Sequence, residues 1–171
     1  MPKRTPPEIL SCQTVAKSKL FAVEALDLRF SNGEHRTYER MKPSGRDAVM
    51  VVPVTEQGDL LLVREYAAGT ERYELGFPKG LIDPGETPHQ AADRELKEEI
   101  GFGCNQLTPL KQVILAPSYF SSKMTLFLGQ ALYPEQAEEL LTHMDFCEAR
   151  SITALMLALK HLPNTTHKHN Q

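Results

Sequence analysis

The chain has no tryptophan, only three cysteines, no excess of positive charge and no long apolar run. Most of these shortages remove a class of protein. Cys12, Cys104 and Cys147 are scattered, and no pair has the spacing of a zinc knuckle or a redox motif. An odd number also argues against a disulfide framework, so free thiols in a reducing cytoplasm are the simplest account. The net charge of −3 gives no reason to expect a basic nucleic-acid-binding surface. A small anionic substrate remains compatible with it, provided local Arg, Lys and metal ions offset the charge. No apolar run approaches the length of a membrane span. The start, Met1-Pro2-Lys3-Arg4-Thr5-Pro6-Pro7, has no apolar region behind it, so no signal peptide is expected. Internal repeats are absent as well. What remains is 171 residues, 41% hydrophobic and 24% charged, enough for one ordinary globular domain with a real core.

The informative stretch runs from Gly80 to Phe102. Thr87 is a good N-cap, Pro88 suits the first helical position, and Gln90 completes a capping box. Gly101 supplies a left-handed stop. The expected helix therefore spans Pro88 to Ile100, with Ala92, Leu96 and Ile100 as its buried stripe. Glu95 and Glu99 lie one turn apart with Glu98 beside them, which puts three carboxylates on one side. Crowded carboxylates repel, and Mg²⁺ or Mn²⁺ relieves this by taking hard oxygen ligands. Arg94 is one turn from Glu98 and can fix its orientation. Gly80, Asp83-Pro84-Gly85 and Glu86 form the preceding loop, where glycines let backbone approach an anion and a backbone carbonyl can join a metal shell. The plain alternative is a solvated acidic helix face with ordinary Glu–Lys pairs. His89 lies on the exposed first turn and is not expected to be a ligand.

Along the rest of the chain, residues 1–12 read as proline-rich and extended. Phe21 to Phe30 reads as a strand whose apolar phase slips once, as a bulge would allow. Ser31-Asn32-Gly33 signals a hairpin turn, and His35 to Met41 is its partner strand. Ala48 to Val54 reads as a short buried strand, turned by Glu56-Gln57-Gly58-Asp59 so that Leu60 to Arg64 returns. Tyr73 to Phe77 leads into the box, and Leu107–Ala116 and Lys123–Leu132 follow it as strands. Asp145 with Glu148 reads as a second capping box, opening a helix to about His161. The expected class is α+β, in layers, with a β-hairpin region over 1–45, a main domain over 46–162 and a polar tail over 163–171.

The spacing Gly80-x5-Glu86-x7-Arg94-Glu95-Leu96-x-Glu98-Glu99-x-Gly101-Phe102 resembles the Nudix box at every defined position. Seven of those identities are fixed, and at roughly one in fifteen each a chance match is on the order of one in 10⁸ per window. The loop glycines and Glu86 thus outweigh the solvated-face alternative. The resemblance extends to Arg64-Glu65-Tyr66 and Glu74-Leu75-Gly76-Phe77-Pro78-Lys79-Gly80, which are similar to the lead-in of the ADP-ribose pyrophosphatase branch. Pro117 and Tyr119 lie near marker positions of two subfamilies, a combination that resembles the bacterial ADP compounds hydrolases. The resemblance implies a mixed sheet between helices and a metal-assisted hydrolysis of ADP-ribose, NADH or diadenosine polyphosphates that releases AMP, with Mg²⁺ or Mn²⁺ as cofactor. It implies Glu95 and Glu99 as main metal ligands, Glu98 as a further ligand or base, and the Lys79 carbonyl as an added ligand. Related pyrophosphatases exchange their N-terminal region between subunits, so a homodimer is expected.

Arg40, Arg46, Arg64, Lys79 and Ser118 are candidate substrate contacts, the arginines because their planar forks suit bidentate anion binding. For each arginine a plain solvent-facing role is at least as good a reading, and for Ser118, Ser121 and Ser122 ordinary turn chemistry is the better one. Tyr66 and Phe77 have the faces to stack on adenine, and equally the character of core residues. Between Tyr133 and Leu140 the chain is shorter than the family pattern, which has an acidic loop there and a further strand often containing tryptophan. A true deletion and a segment missing from these 171 residues are both open; the second makes the intact mass exceed 19.2 kDa. Without that loop the base falls to Glu98 or to Glu135, Glu138 or Glu139. Two other functions compete. A nucleotide-sensing Nudix module that lost catalysis is disfavoured by the intact box. An RNA 5′-end pyrophosphatase is disfavoured by the net charge of −3.

Overall fold

The structure, a computed structural model, describes residues 5–100, 102–130 and 147–161. Its elements run β1 (Glu8–Lys17), β2 (Ala22–Arg29), β3 (His35–Met41), β4 (Ala48–Val54), β5 (Val63–Ala67), β6 (Arg72–Gly76), β7 (Lys79–Leu81), α1 (Pro88–Ile100), β8 (Leu107–Ile114), β9 (Lys123–Gln130) and α2 (Ala149–Ala158). They divide into two compact units. One comprises the chain up to Gly45 with Ile114–Ser122, and the other comprises Arg46–Val113 with the chain from Lys123 on.

The second unit is built on β4. Every residue from Val49 to Val54 is buried, because a strand covered on both faces has no polar side to show. Its side chains alternate between two cores. Met50, Val52 and Val54 pack with Phe77, Leu126, Leu128, Ala154 and Leu155 on the α2 side. Val49 and Val51 pack with Ala91, Ala92, Leu96 and Phe127 on the α1 side. Each fully buried Val, Leu or Met here contributes about 1.5–3 kcal/mol. The sheet order is β7-β4-β9-β8, with β4 antiparallel to β7 and parallel to β9. A mixed sheet between two helices is the α+β architecture expected from the sequence. The strand expected over Leu60 to Arg64 does not form. Leu60 makes one isolated bridge to Val54, and Leu61 donates to the Pro53 carbonyl at 3.2 Å. Pro53 has no N–H to donate in return, so the ladder stops there. β5 starts at Val63 and pairs with β6 instead.

The first unit holds a three-stranded sheet, β1-β2-β3, rather than the two-stranded hairpin expected. The β2–β3 register is regular, and the turn closes as expected on Gly33, whose φ of 84° is left-handed. The irregularities lie in β1, between Ile9 and Ser11 and between Thr14 and Ala16, not in β2. These two bulges interrupt the alternation that would have marked residues 8–17 as a strand. The segment Ile114–Ser122 joins this unit through the Met41 N–H, which donates to the Tyr119 carbonyl at 2.9 Å. β8 ends at Ile114 rather than Ala116, whose φ is 46°.

α2 begins one residue after Glu148, which is itself the N-cap, not the third position of a box opened by Asp145. Asp145 lies outside the described residues, as do Gly101, Leu132 and the segment holding Glu135, Glu138 and Glu139. The start of α2 is set by tertiary packing. Ser151 is fully buried, its hydroxyl donates to Glu148 Oε2 at 2.7 Å and accepts from the Phe77 N–H at 3.4 Å. The helix ends at Ala158 with Leu159 as C-cap, short of His161.

Burial pushes the Glu148 carboxyl up, but hydrogen bonds from Arg150 and Ser151 outweigh it and leave its pKa lowered. Glu74, on β6, is held by Arg72, Cys147 and Thr70 at about 2, against an ordinary 4.5. Both carboxylates thus bind protons less readily in the folded than in the unfolded chain. The stability they confer is complete above pH 4.5 and is lost as pH falls toward about 2. Thermal melts across that window are expected to show a falling Tm, with a shallower fall in Glu74→Gln. An unchanged slope in that variant would contradict the assignment. The three cysteines are free thiols.

Candidate active site

α1 starts where its N-terminal capping box dictates. The Thr87 N–H donates to Gln90 Oε1 at 2.9 Å, and the Gln90 N–H donates back to Thr87 Oγ1 at 3.3 Å. Ala91, Ala92 and Leu96 bury against β4 and β9, with Ile100 at the edge of the cluster. That packing fixes the rotation of the helix and carries Glu95 inward with it. Glu95 is only 9% exposed and lies against the backbone of Gly80 on β7. A Cβ added at Gly80 would stand 2.0 Å from Glu95 Oε1, so only glycine leaves room for this carboxylate.

Arg94 holds the cluster together. Its Nε and Nη2 grip Glu86 as a fork, at 2.8 and 3.0 Å. Nη1 donates to Glu95 Oε1 at 2.7 Å and to Glu98 Oε2 at 3.0 Å, and Nη2 also donates to the Leu81 carbonyl at 3.0 Å. All five guanidinium N–H groups therefore have an acceptor. These partners, Glu86 first, raise the Arg94 pKa further, so the guanidinium is always charged. Arg94 in turn holds Glu86 at about 2, assisted by the Asp83 N–H. Glu99 is oriented from the other side, where the Lys79 N–H donates to its Oε2 at 3.1 Å. Partial desolvation raises the Glu99 pKa against the pull of Lys79.

Among the described residues, no three Asp, Glu, His or Cys side chains converge, as they stand, closely enough to hold a metal ion. Glu95, Glu98 and Glu99 instead each have one oxygen fixed and the other, Glu95 Oε2, Glu98 Oε1 and Glu99 Oε1, without a hydrogen bond among those residues. Three hard oxygen donors on one helix, oriented from behind, are the donor chemistry that a divalent cation of the Mg²⁺ or Mn²⁺ kind prefers, once the free oxygens turn toward it. Glu98, with its side chain 59% exposed, presents its free oxygen to water.

The second unit thus brings together Glu95, Glu98, Glu99, Arg94 and Lys79. Arg46 is tied to the same loop through Asp83 at 3.4 Å, and Asp83 lies 3.9 Å from Arg94. Arg64 is exposed on β5 in that unit. Arg40 and Ser118 belong to the first unit. There Arg40 directs Nε and Nη2 to the buried Glu24 at 3.2 Å, and Ser118 is exposed in the Ile114–Ser122 segment. Phe77 is a fully buried core residue and not a stacking platform. Tyr66 is 54% exposed, with its ring edge-on to Tyr73 at 5.5 Å between centroids. His89 is exposed beside Phe127.

Two residues of the cluster carried no role in the sequence. Glu86 proves to be the main partner of Arg94, and its fixed place eight residues ahead was the available signal. Glu65 pairs with the Lys79 ammonium at 2.9 Å, for which the sequence held no signal.

A capped helix carrying Arg-held carboxylates over a glycine strand is the constellation that the box sequence encodes, and the chain belongs to the Nudix hydrolase family. The Nudix domain model matches residues 45–166, and the N-terminal domain model of NudE-type Nudix hydrolases matches residues 7–40. Members of the family generally depend on a divalent metal. The chain is 54% identical to the ADP compounds hydrolase NudE of Escherichia coli over 169 aligned positions, covering 88% of this chain and 90% of that one. The share of this chain amounts to fewer residues than there are aligned positions, so it lacks residues that the relative has inside the matched span. It is 29% identical to the ADP-ribose pyrophosphatase of Bacillus subtilis, over 82% of this chain and 78% of the other. A crystal structure of an ADP compounds hydrolase superposes with a TM-score of 0.87 at 51% identity, covering 95% of this chain and 97% of that one. No helix of the described residues is long and apolar enough to cross a membrane.

Proposed function

We propose that this protein hydrolyses the pyrophosphate bond of ADP compounds, namely ADP-ribose, NADH and diadenosine polyphosphates, and releases AMP. The observation that carries the reading is the Arg94-held set of three carboxylates seated over Gly80. The similarity to a relative named an ADP compounds hydrolase supports the substrate class. Mg²⁺ is the cofactor, with Mn²⁺ able to replace it, held by Glu95 and Glu99, with Glu98 as a further ligand where it does not serve as the base. When bound, the cation offsets charge developing on phosphate oxygens and acidifies the attacking water.

The chain's own residues do the rest. Arg94 keeps the carboxylates in register. The free oxygen of Glu98 receives the proton of the attacking water, or one of Glu135, Glu138 and Glu139 does. Arg46, Arg64 and Lys79 hold the phosphates of the substrate. The setting is the cytoplasm, the partners are small ADP-containing molecules, and neither nucleic acid nor membrane is engaged. A substrate panel scored by AMP release with Mg²⁺ tests the reading. Turnover is expected with the ADP compounds and not with 5′-triphosphate RNA, whereas heat of binding without AMP would favour a nucleotide-sensing module.

A homodimer completes the proposal. Ile9, Leu10, Val15, Phe21 and Tyr38 of the first unit are all exposed, more large apolar surface than so small a sheet conceals by itself. Light scattering at micromolar concentration is expected to give twice the chain mass. A monomer mass would refute it.

A further inference from the structure

The Arg64-Glu65-Tyr66 motif contains one carboxylate to which the reaction assigns no role. Glu65 lies on β5, away from the box helix, and its side chain is 61% exposed. Its Oε2 stands 2.9 Å from Lys79 Nζ. Lys79 is the residue whose own N–H donates to Glu99 Oε2. The Lys79 side chain is only 19% exposed, and Nζ lies 3.7 Å from where a Cβ on Gly76 would be, so the ammonium is tucked against β6 rather than free in solvent. A lysine this confined, one residue ahead of the glycine that seats Glu95, places a fixed positive charge beside a site that must attract a cation.

We propose that Glu65 is a positioning residue that neutralises Lys79 and thereby sets the affinity of the Glu95–Glu98–Glu99 cluster for its divalent cation. This inference rests on the metal-dependent reading of that cluster. With Glu65 in place, the ammonium is half of a neutral pair and costs the incoming cation little. Without Glu65, an uncompensated positive charge remains on the residue whose own N–H holds Glu99, and solvent screening reduces but does not remove its repulsion of an incoming cation.

Binding of Mn²⁺ alone, without substrate, tests this on the purified full chain by calorimetry or by the spin resonance of free Mn²⁺. Glu65→Gln is expected to weaken Mn²⁺ binding by about tenfold. The double variant Glu65→Gln/Lys79→Gln is expected to return to within about twofold of the parent, because the repelling charge has gone with its partner. Thermal melts establish that each variant is folded. Parental Mn²⁺ affinity in Glu65→Gln overturns the proposal. So does a double variant as weak as the single one, since a purely structural role of Glu65 is not rescued by deleting Lys79. A parent that binds Mn²⁺ and releases no AMP counts against the proposed reaction and leaves this inference standing.

Discussion

Glu99→Gln is expected to lower kcat by about 10²–10³ while changing KM much less. Glu99 sits one turn from Glu95, and its Oε2 is already fixed by the Lys79 N–H at 3.1 Å. A glutamine there keeps an oxygen that can accept this bond, so local geometry survives. What is lost is one unit of negative charge facing the cation. Charge that stabilises the transition state more than the bound ground state appears in kcat rather than KM. The residue is solvent-accessible, and its neighbours Leu96 and Ile100 carry the packing, so the variant should melt close to the parent. A folded variant with near-normal kcat would remove Glu99 from the site.

Gly80→Ala is expected to do comparable damage by a different route. The new methyl would stand 2.0 Å from Glu95 Oε1 and 2.1 Å from its carboxyl carbon, far inside contact distance. Glu95 cannot retreat without leaving Arg94 Nη1, and β7 cannot retreat without breaking its pairing with β4. Overpacking of this kind costs about 1–3 kcal/mol. The displaced carboxylate also disorders the ligand set, so activity should fall by about 10²-fold or more. Gly33→Ala, in the first unit, is the informative contrast. Its added methyl meets nothing within 4 Å, and only the φ of 84° resists it. That variant should lose about 1 kcal/mol of stability and keep the site intact. Equal losses of activity in the two variants would mean that the seat of Glu95 is not what matters at Gly80.

The contrast between α1 and β1 shows which parts of the fold were legible in the sequence. α1 starts at the residue its N-terminal box specifies, because the Thr87–Gln90 exchange is a local interaction encoded by spacing. β4 was legible as an unbroken apolar run of strand length. β1 was not, because its two bulges break the alternation by which a strand is recognised. The start of α2 was misread for a related reason. Asp145 and Glu148 satisfy the spacing of a capping box, but the packing of Ser151 beneath Gly76 and Phe77 makes Glu148 itself the cap. In the site, the three carboxylates were legible because helical spacing alone groups them. The Glu65 pair on Lys79 was not, since it joins residues from different elements and depends on how the chain returns.

Pyrophosphate hydrolysis, and not nucleotide binding alone, is the chemistry proposed for the carboxylate cluster. Phosphorus resonance spectra of ADP-ribose incubated with the protein and Mg²⁺ test it most directly. The two pyrophosphate signals are expected to disappear as AMP and ribose 5-phosphate appear in equal amounts, and the ADP-ribose spectrum is expected to stay as it was when chelator replaces the metal. Intact pyrophosphate signals in the presence of Mg²⁺, under conditions where calorimetry shows ADP-ribose to be bound, would contradict it.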